Sequence, residues 1–568
     1  MTTTSLMRPQ LKSFSVAVVA LLAFFAFASA LAAPPQQPDA PREKFARGRY
    51  GMVAASTPYA VAAGARILRQ GGNAADAAAA ACFALMVTDP AMTSLGGRTQ
   101  MVIYLADGTV AAIDGATESP AVVPPLAGKE DDRRGYQVVP VPGNPAALDM
   151  LVKKYGRLKL AQVMQPAIEL AENGFAVTLA IAEIFSAERE KLTRNLGAAA
   201  NFLKPDGSTY AAGEIFKQPR LARTLKEIAR RGPATLYRGA LGKALVKDVT
   251  ANGGYVRESD LRAYEALAGV VHRANYRGYE VLTAGRRAWG GTLVEMLHIL
   301  AQFEIGRGEP TSQELEILAR TIAQAIADRP QQVGSLTSKP VGYTLEEMAT
   351  PEFGRKRAEL VRKQLSQPAS GSPAQSNPLR DGHETTHLSV IDAEGNAVAL
   401  TTSIGPRFGD GLATLELGFL YAHSYRMDGE PMPRLRDETE QTPTIVLKNG
   451  RPVLALGAAG SARIPGTVLQ VISNVVDRGW PLEGAVAAPR LYCQGVNVRI
   501  HEGFPPQTLD ALRAAGLKLD VVKQASHARH VGIVHAVAFD PASGEFTGMA
   551  DPAYDGAAAG PRIAPRKK

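Results

Sequence analysis

The chain has 568 residues, 46% of them hydrophobic and 21% charged, and a formal net charge of +9. That composition is ordinary for a globular protein with a large core. The positive charge is dispersed: Arg355-Lys356-Arg357 and Arg566-Lys567-Lys568 stand apart from any aromatic run or basic recognition helix, which argues against nucleic acid as a partner.

Arg8 and Lys12 precede an apolar run over 14–27, followed by Ala28-Ser29-Ala30 and Ala30-Leu31-Ala32, two sites of the small-x-small kind used for cleavage. The run is shorter than the ~20 residues of a spanning helix. Residues 1–32 therefore read as a removable export signal and not as a membrane anchor, and the mature protein as periplasmic or secreted. An oxidising compartment permits a disulfide between the two cysteines, yet Cys82 lies in an alanine-rich helical run that reads as core, so a free thiol is expected there. No Cys/His cluster has metal-ligand spacing, and neither a metal nor a cofactor is expected.

After a Pro-rich stretch near 34–42, Thr57 and Pro58 mark a helix start and Gly71-Gly72 its end. Asn73 opens a second helix, with Asp76 as its capping-box acid, running to about Val87. Segments 101–104 and 110–113 flank Asp107-Gly108 as a hairpin. A helix over 159–173, helices through 180–250, a strand at 279–283 and helices over 293–327 make the first part mixed α/β. Residues 364–384 are rich in Pro, Ser and Gly and lack an apolar period, which predicts a flexible arm.

Beyond the arm, 386–392 and 397–403 flank Glu394-Gly395-Asn396, and 444–448 and 453–456 flank Asn449-Gly450, a type I′ signal. Two antiparallel hairpins are expected. A Gly/Ala turn from Gly457 to Ala462 then leads into a helix with Val468, Leu469, Val471, Ile472, Val475 and Val476 on its apolar face.

Two features can carry chemistry. Thr385 stands where the arm meets a strand, and a cut before it would give a threonine with a free α-amine, which holds nucleophile and base in one residue. In an intact chain it is a strand former like any threonine. The turn at Gly460-Ser461 offers backbone N–H groups at a helix start. It lacks the lysine of a phosphate loop, which argues against nucleotide binding; an oxyanion site and simple tight packing both fit it.

Six ordered segments then resemble the γ-glutamyltransferase family of N-terminal-nucleophile (Ntn) hydrolases: GGNAADAAAAACFALMVTDP (71–90), GRLKLAQVMQPAIELAENGFAVT (156–178), GGTLVEMLHIL (290–300), TTHLSVIDAEGNAVALTTS (385–403), TPTIVLKNGRPVLALGAAGSARIPGTVLQ (442–470) and MADPAYDGAAAG (549–560). The resemblance implies a four-layer αββα sandwich, made as a proenzyme that cuts itself between Glu384 and Thr385. A large chain, 33–384, and a small chain, 385–568, would remain together as a heterodimer. It implies Thr385 as nucleophile, with its new α-amine, of reference pKa ~7.7–8.0, as base. Ser403 would be the hydroxyl beside it, in place of the usual threonine. Gly460 and Ser461 would supply the oxyanion amides, Ser461 replacing a glycine.

The donor clamp departs from the family pattern. Ala116 stands where an arginine pairs with the glutamyl α-carboxylate, Gly405 where an asparagine binds substrate, and Thr439-Glu440 where two serines sit. LYAHSYRMD (420–428) replaces a segment whose acid holds the α-amino group, although Asp428 can serve after a one-residue shift. Arg98 and Arg407 are peculiar to this version, each either a relocated anion clamp or an ordinary loop arginine. Losing one partner of a buried charge pair costs ~2–5 kcal/mol, so a plain γ-glutamyl donor should bind poorly. The expected function is an exported, self-processed amidohydrolase acting on another small-molecule or peptide amide, as the related cephalosporin-type acylases do. An ordinary γ-glutamyltransferase or glutathione hydrolase with a rebuilt clamp, and a non-catalytic binding protein that keeps the fold, are the competing readings.

Overall fold

The computed structural model describes residues 40–563 except 42, 125–133, 330–342, 367–382 and 425–432. Residues 1–32, expected to be an export signal, most of the arm and Asp428 lie outside the described residues. Among those described, no helix is long and apolar enough to cross a membrane.

Local chemistry sets the first elements. Strand β1 (Gly51–Ala55) runs into Thr57, whose extended backbone and side chain cap α1 (Pro58–Arg69), with Pro58 in the first turn. Asn73 and Asp76 form the expected capping box of α2 (Ala74–Thr88), every residue of which is buried. Its alanines let α1 and the sheet below approach closely. Strand β2 (Arg98–Tyr104) forms a hairpin with Val110–Gly115. Helix α3 (Gly290–Leu300) is wholly buried, including its Glu295 and His298.

Strands β3 (His383–Asp392) and β4 (Ala397–Pro406) form the first expected hairpin, turning where the sequence suggests and longer at its open end. The arm is correspondingly shorter, because residues 364 and 365 close the helix Pro351–Leu365 and His383-Glu384 already belong to β3. In the second hairpin, Thr444–Lys448 pairs with β5 (Arg451–Ala459) across Asn449 and Gly450, both at positive φ as a type I′ turn requires. Helix α4 (Ile464–Val476) follows.

These elements assemble into two seven-stranded antiparallel sheets. One runs Ala557–Ala559, β1, β3, β4, β2, Val110–Gly115, Leu267–Ala268; the other runs Phe45–Gly48, Glu545–Ala550, Ile533–Asp540, β5, Thr444–Lys448, Tyr279–Ala284, Val271–Tyr276. Helices α1 and α2 cover the outer face of the first sheet, and α3 and α4 that of the second. The result is the expected αββα sandwich.

Side-chain alternation assigns each strand residue to a layer. On β3, Leu388 and Val390 join the helix-side core, while Ile391 joins the core between the sheets. His387 lies on the inter-sheet face, buried against Gly457 of β5, with Nδ1 2.8 Å from Thr401 Oγ1 and Nε2 2.9 Å from Ser389 Oγ. Ser389 gives its only proton to the His535 carbonyl, so it must accept from His387 Nε2–H, and Thr401 donates to Nδ1. Burial holds the ring's pKa well below the ordinary histidine value, and it remains neutral. A Cβ on Gly457 would lie 2.4 Å from His387 Cε1. Gly457→Ala should therefore destabilise the fold by about 1–3 kcal/mol, read as a lowered urea midpoint, because the doubly bonded ring cannot retreat.

Candidate active site

Thr385 lies at the polar end of the inter-sheet face of β3, sharing that face with His387 and Ser389, and is 7% exposed. Glu384 pairs with Gly405 and Thr386 with Thr402, so Thr385 alone faces two residues of β4, Ser403 and Ile404. This is a β-bulge, a device that breaks the ladder and re-aims side chains. Ser403, also buried, accepts the Gly405 N–H on Oγ at 2.9 Å, and Gly405 has φ +94°, a conformation glycine adopts without strain. Gly405 thus shapes the backbone at the position where the sequence shows a glycine in place of a substrate-binding asparagine.

The Gly460-Ser461 turn joins β5 to a short 3-10 turn, Ser461–Arg463, packed against β3 and continuing into α4. Gly460 has φ +130° and Ser461 φ +52°. N–H groups at a helix start have no partner within the helix, and those of Gly460 and Ser461 stand at this one. A Cβ on Gly460 would meet His530 Cε1 at 3.0 Å and Gly532 Cα at 3.2 Å. The turn is crowded on one side by residues far along the chain, which favours a rigid pair of donors over a flexible loop.

The donor-clamp candidates divide. Arg98, opposite Ser403 in the β2–β4 ladder, turns its guanidinium onto Asp437 at 2.6 Å, with Thr117 Oγ1 at 3.4 Å and the His423 carbonyl at 3.0 Å; the pair is almost completely buried. It is neither a loop arginine nor an unpartnered cation. Arg407 donates to the His527 carbonyl at 3.0 Å, bracing the loop after β4. Ala116 is fully buried, its N–H taken by Asp114 and its carbonyl by the Tyr264 hydroxyl. Glu440 is half-buried and accepts from Ser461 Oγ at 3.1 Å, which sets a carboxylate beside the candidate oxyanion turn.

Comparison with known proteins agrees with this architecture. The gamma-glutamyltranspeptidase family profile matches residues 60–561. The chain belongs to that family. It is 32% identical over 573 residues to a glutathione hydrolase proenzyme of Escherichia coli (strain K12), covering 94% of this chain and 97% of that one. It is 34% identical over 534 residues to an acylase ACY 1 proenzyme of Pseudomonas sp. (strain V22), covering 89% and 93%. Its fold matches the crystal structure of a cephalosporin acylase from Bacillus halodurans with TM-score 0.80 and 27% identity, over 93% of this chain and 98% of that one. The γ-glutamyltranspeptidase family is one of Ntn amidohydrolases and transferases, and both hydrolase and acylase members resemble this chain over nearly its full length.

One group near the nucleophile strand is not apparent from the sequence pattern. Asp89, the C-cap of α2, is fully buried; Oδ2 accepts from Ser56 Oγ at 2.7 Å and Oδ1 from the Tyr554 hydroxyl at 3.0 Å. Ser56 Oγ is in turn 2.5 Å from Thr386 Oγ1. The one local cue, an Asp-Pro pair after a helix, reads only as a stop signal. Burial pushes the Asp89 carboxyl up to about 6, against the lowering effect of these hydroxyls. A helix C-terminus also disfavours an anion. Because the folded-state value lies above the unfolded one, the contribution to stability is complete below the unfolded pKa and is lost as pH rises through about 6. Asp89→Asn lacks this titration, so its unfolding free energy from urea titrations, relative to wild type, should rise between pH 4 and pH 8 by up to about 3 kcal/mol.

Proposed function

We propose that this chain is an exported proenzyme that divides before Thr385 and hydrolyses an amide through a Thr385 acyl-enzyme, with an acyl group other than a plain γ-glutamyl. The observation that carries the reading is the bulge isolating Thr385 opposite Ser403 and Ile404, on a strand packed against the Gly460-Ser461 turn. In the first step Thr385 Oγ attacks the Glu384 carbonyl, the C–N bond breaks as nitrogen takes the proton, and water hydrolyses the resulting ester. The released α-amine then serves as base when the same oxygen attacks a substrate amide, and the N–H groups of Gly460 and Ser461 hold the oxyanion, a contribution of ~3 kcal/mol per donor.

The donor preference follows from charge. Arg98 is neutralised by Asp437, Ala116 offers no cation, and the Glu440 carboxylate stands beside Ser461. An acyl group ending in a carboxylate meets repulsion there, and neither Arg98 nor Ala116 supplies a free cation to offset it. A second reading, glutathione hydrolysis with a rebuilt clamp, draws support from the approach of the Arg98 guanidinium to Thr117, next to the position of the missing arginine.

Purified wild type should run as two chains, the smaller beginning Thr-Thr-His-Leu, and Thr385→Ala as one. A single wild-type chain would leave the non-catalytic reading. Against γ-glutamyl, glutaryl, butyryl and 4-aminobutyryl p-nitroanilides, kcat/KM should be higher for the two donors lacking a carboxylate. Glu440→Ser should raise the glutaryl-to-butyryl ratio by about tenfold, equivalent to ~1.4 kcal/mol. Preference for the γ-glutamyl donor in the wild type would favour the second reading.

A further inference from the structure

The ladder between β1 and β3 covers Leu388 to Asp392 and ends at the pair Ala55–Leu388. One residue later the β1 chain turns away through Ser56 into the cap of α1. The first residues of β3 therefore keep β4 on one side, through the Thr386–Thr402 pair, and lose their strand neighbour on the other. What stands in the vacated position is a row of side chains: Thr386 Oγ1 to Ser56 Oγ at 2.5 Å, Ser56 Oγ to Asp89 Oδ2 at 2.7 Å, and Tyr554 OH to Asp89 Oδ1 at 3.0 Å. All four residues are buried. Alternation turns Thr386 toward this row and Thr385 toward the opposite, inter-sheet face.

We propose that Asp89 is a positioning residue for Thr385: acting through Ser56 and Thr386, it takes over from the β1 ladder in fixing the terminal residues of β3. The inference rests on the reading of Thr385 as nucleophile. Its importance grows once the chain is cut, because Thr385 then loses its covalent anchor on the N-terminal side and Thr386 becomes the last residue holding it. Ser56 has one proton, which it gives to Asp89, so its oxygen accepts from Thr386. Every hydroxyl in the row thus points toward the carboxylate. A protonated Asp89 has to place its own proton on that row, which reverses one hydroxyl or breaks one bond. The groups facing Asp89 are Ser56 at the end of β1, Thr386 on β3, and Tyr554 with Asp555 from the 551–556 loop, with Arg407 acting on Tyr554 from beyond. Asp555 opposes ionisation of Asp89, and burial raises the carboxyl to about 6. The row is therefore complete above that pH and disrupted below it.

The test follows the division of pulse-labelled, cell-free-synthesised full-length chain into two bands across about pH 5 to 9, which needs no substrate, and then kcat and KM for butyryl p-nitroanilide. Wild type should show an acid limb near pH 6 in the division rate, where no free α-amine titrates. Asp89→Asn should lose that limb and lower both rates by about tenfold with KM within about twofold, since misplacing a reacting group costs turnover more than binding. Thr386→Val should show the same loss and Thr386→Ser should recover most of it. Rates and limbs in Asp89→Asn and Thr386→Val that match wild type would overturn the proposal. If Asp89→Asn shows no cooperative thermal transition, the Thr386 pair decides, and equal rates for Val and Ser overturn it. A wild-type chain that never divides, or a Thr385→Ala chain that still does, overturns the nucleophile reading and this inference with it; a dividing wild type with indifferent Asp89 and Thr386 variants overturns this inference alone.

Discussion

The organisation of the molecule depends on the two-residue alternation of one central strand, His383–Asp392, held between a helix layer and a second sheet. Leu388 and Val390 are fixed to the helix side, Ile391 to the space between the sheets, and with them the neighbouring polar positions are assigned. A slip of one residue would exchange every one of these faces. Thr385 and Thr386 are chemically alike, and only this register gives one the inter-sheet face and the other the Ser56–Asp89 row.

Charge around the candidate site is largely cancelled internally. Arg98 is paired with Asp437, Arg287 with Asp114 at 2.9 Å, and Arg436 with Glu118 at 3.0 Å, all on or near the segments that replace the family's donor clamp. Buried pairs of this kind add little net stability but are costly to break, since either partner alone is an uncompensated charge. These three arginines are therefore committed to carboxylates, while the half-buried Glu440 stands beside Ser461.

Where structure is set by neighbours in the chain, the sequence is readable. The caps at Thr57 and Asn73, the turn at Asn449-Gly450 and the helix after Gly460-Ser461 all form through contacts a few residues apart. The order of strands is not local: β3 pairs with β1 more than three hundred residues earlier, and no spacing reports it. The same limit governs the side chains. Arg98 reads from the sequence as either a relocated anion clamp or a loop arginine because Asp437, 339 residues away, cannot be seen from its surroundings. Gly405 looked like a lost binding residue because its positive φ appears only when the bulge at Thr385 bends the hairpin. Asp89 gives no signal of its partners in the sequence, since Ser56, Thr386 and Tyr554 reach it from three other parts of the chain.

Strands from before and after residue 385 are interleaved in both sheets. In one, β1 lies between Ala557–Ala559 and β3, and β2 follows β4; in the other, Phe45–Gly48 pairs with Glu545–Ala550, and Thr444–Lys448 with Tyr279–Ala284. Neither half can be withdrawn without stripping hydrogen bonds from the other. A break ahead of Thr385 would thus leave a molecule woven from two polypeptides that had to be woven as one. Because β3 is held between β1 from before the break and β4 from after it, the order such a break requires is assembly first, scission second, with no easy road back.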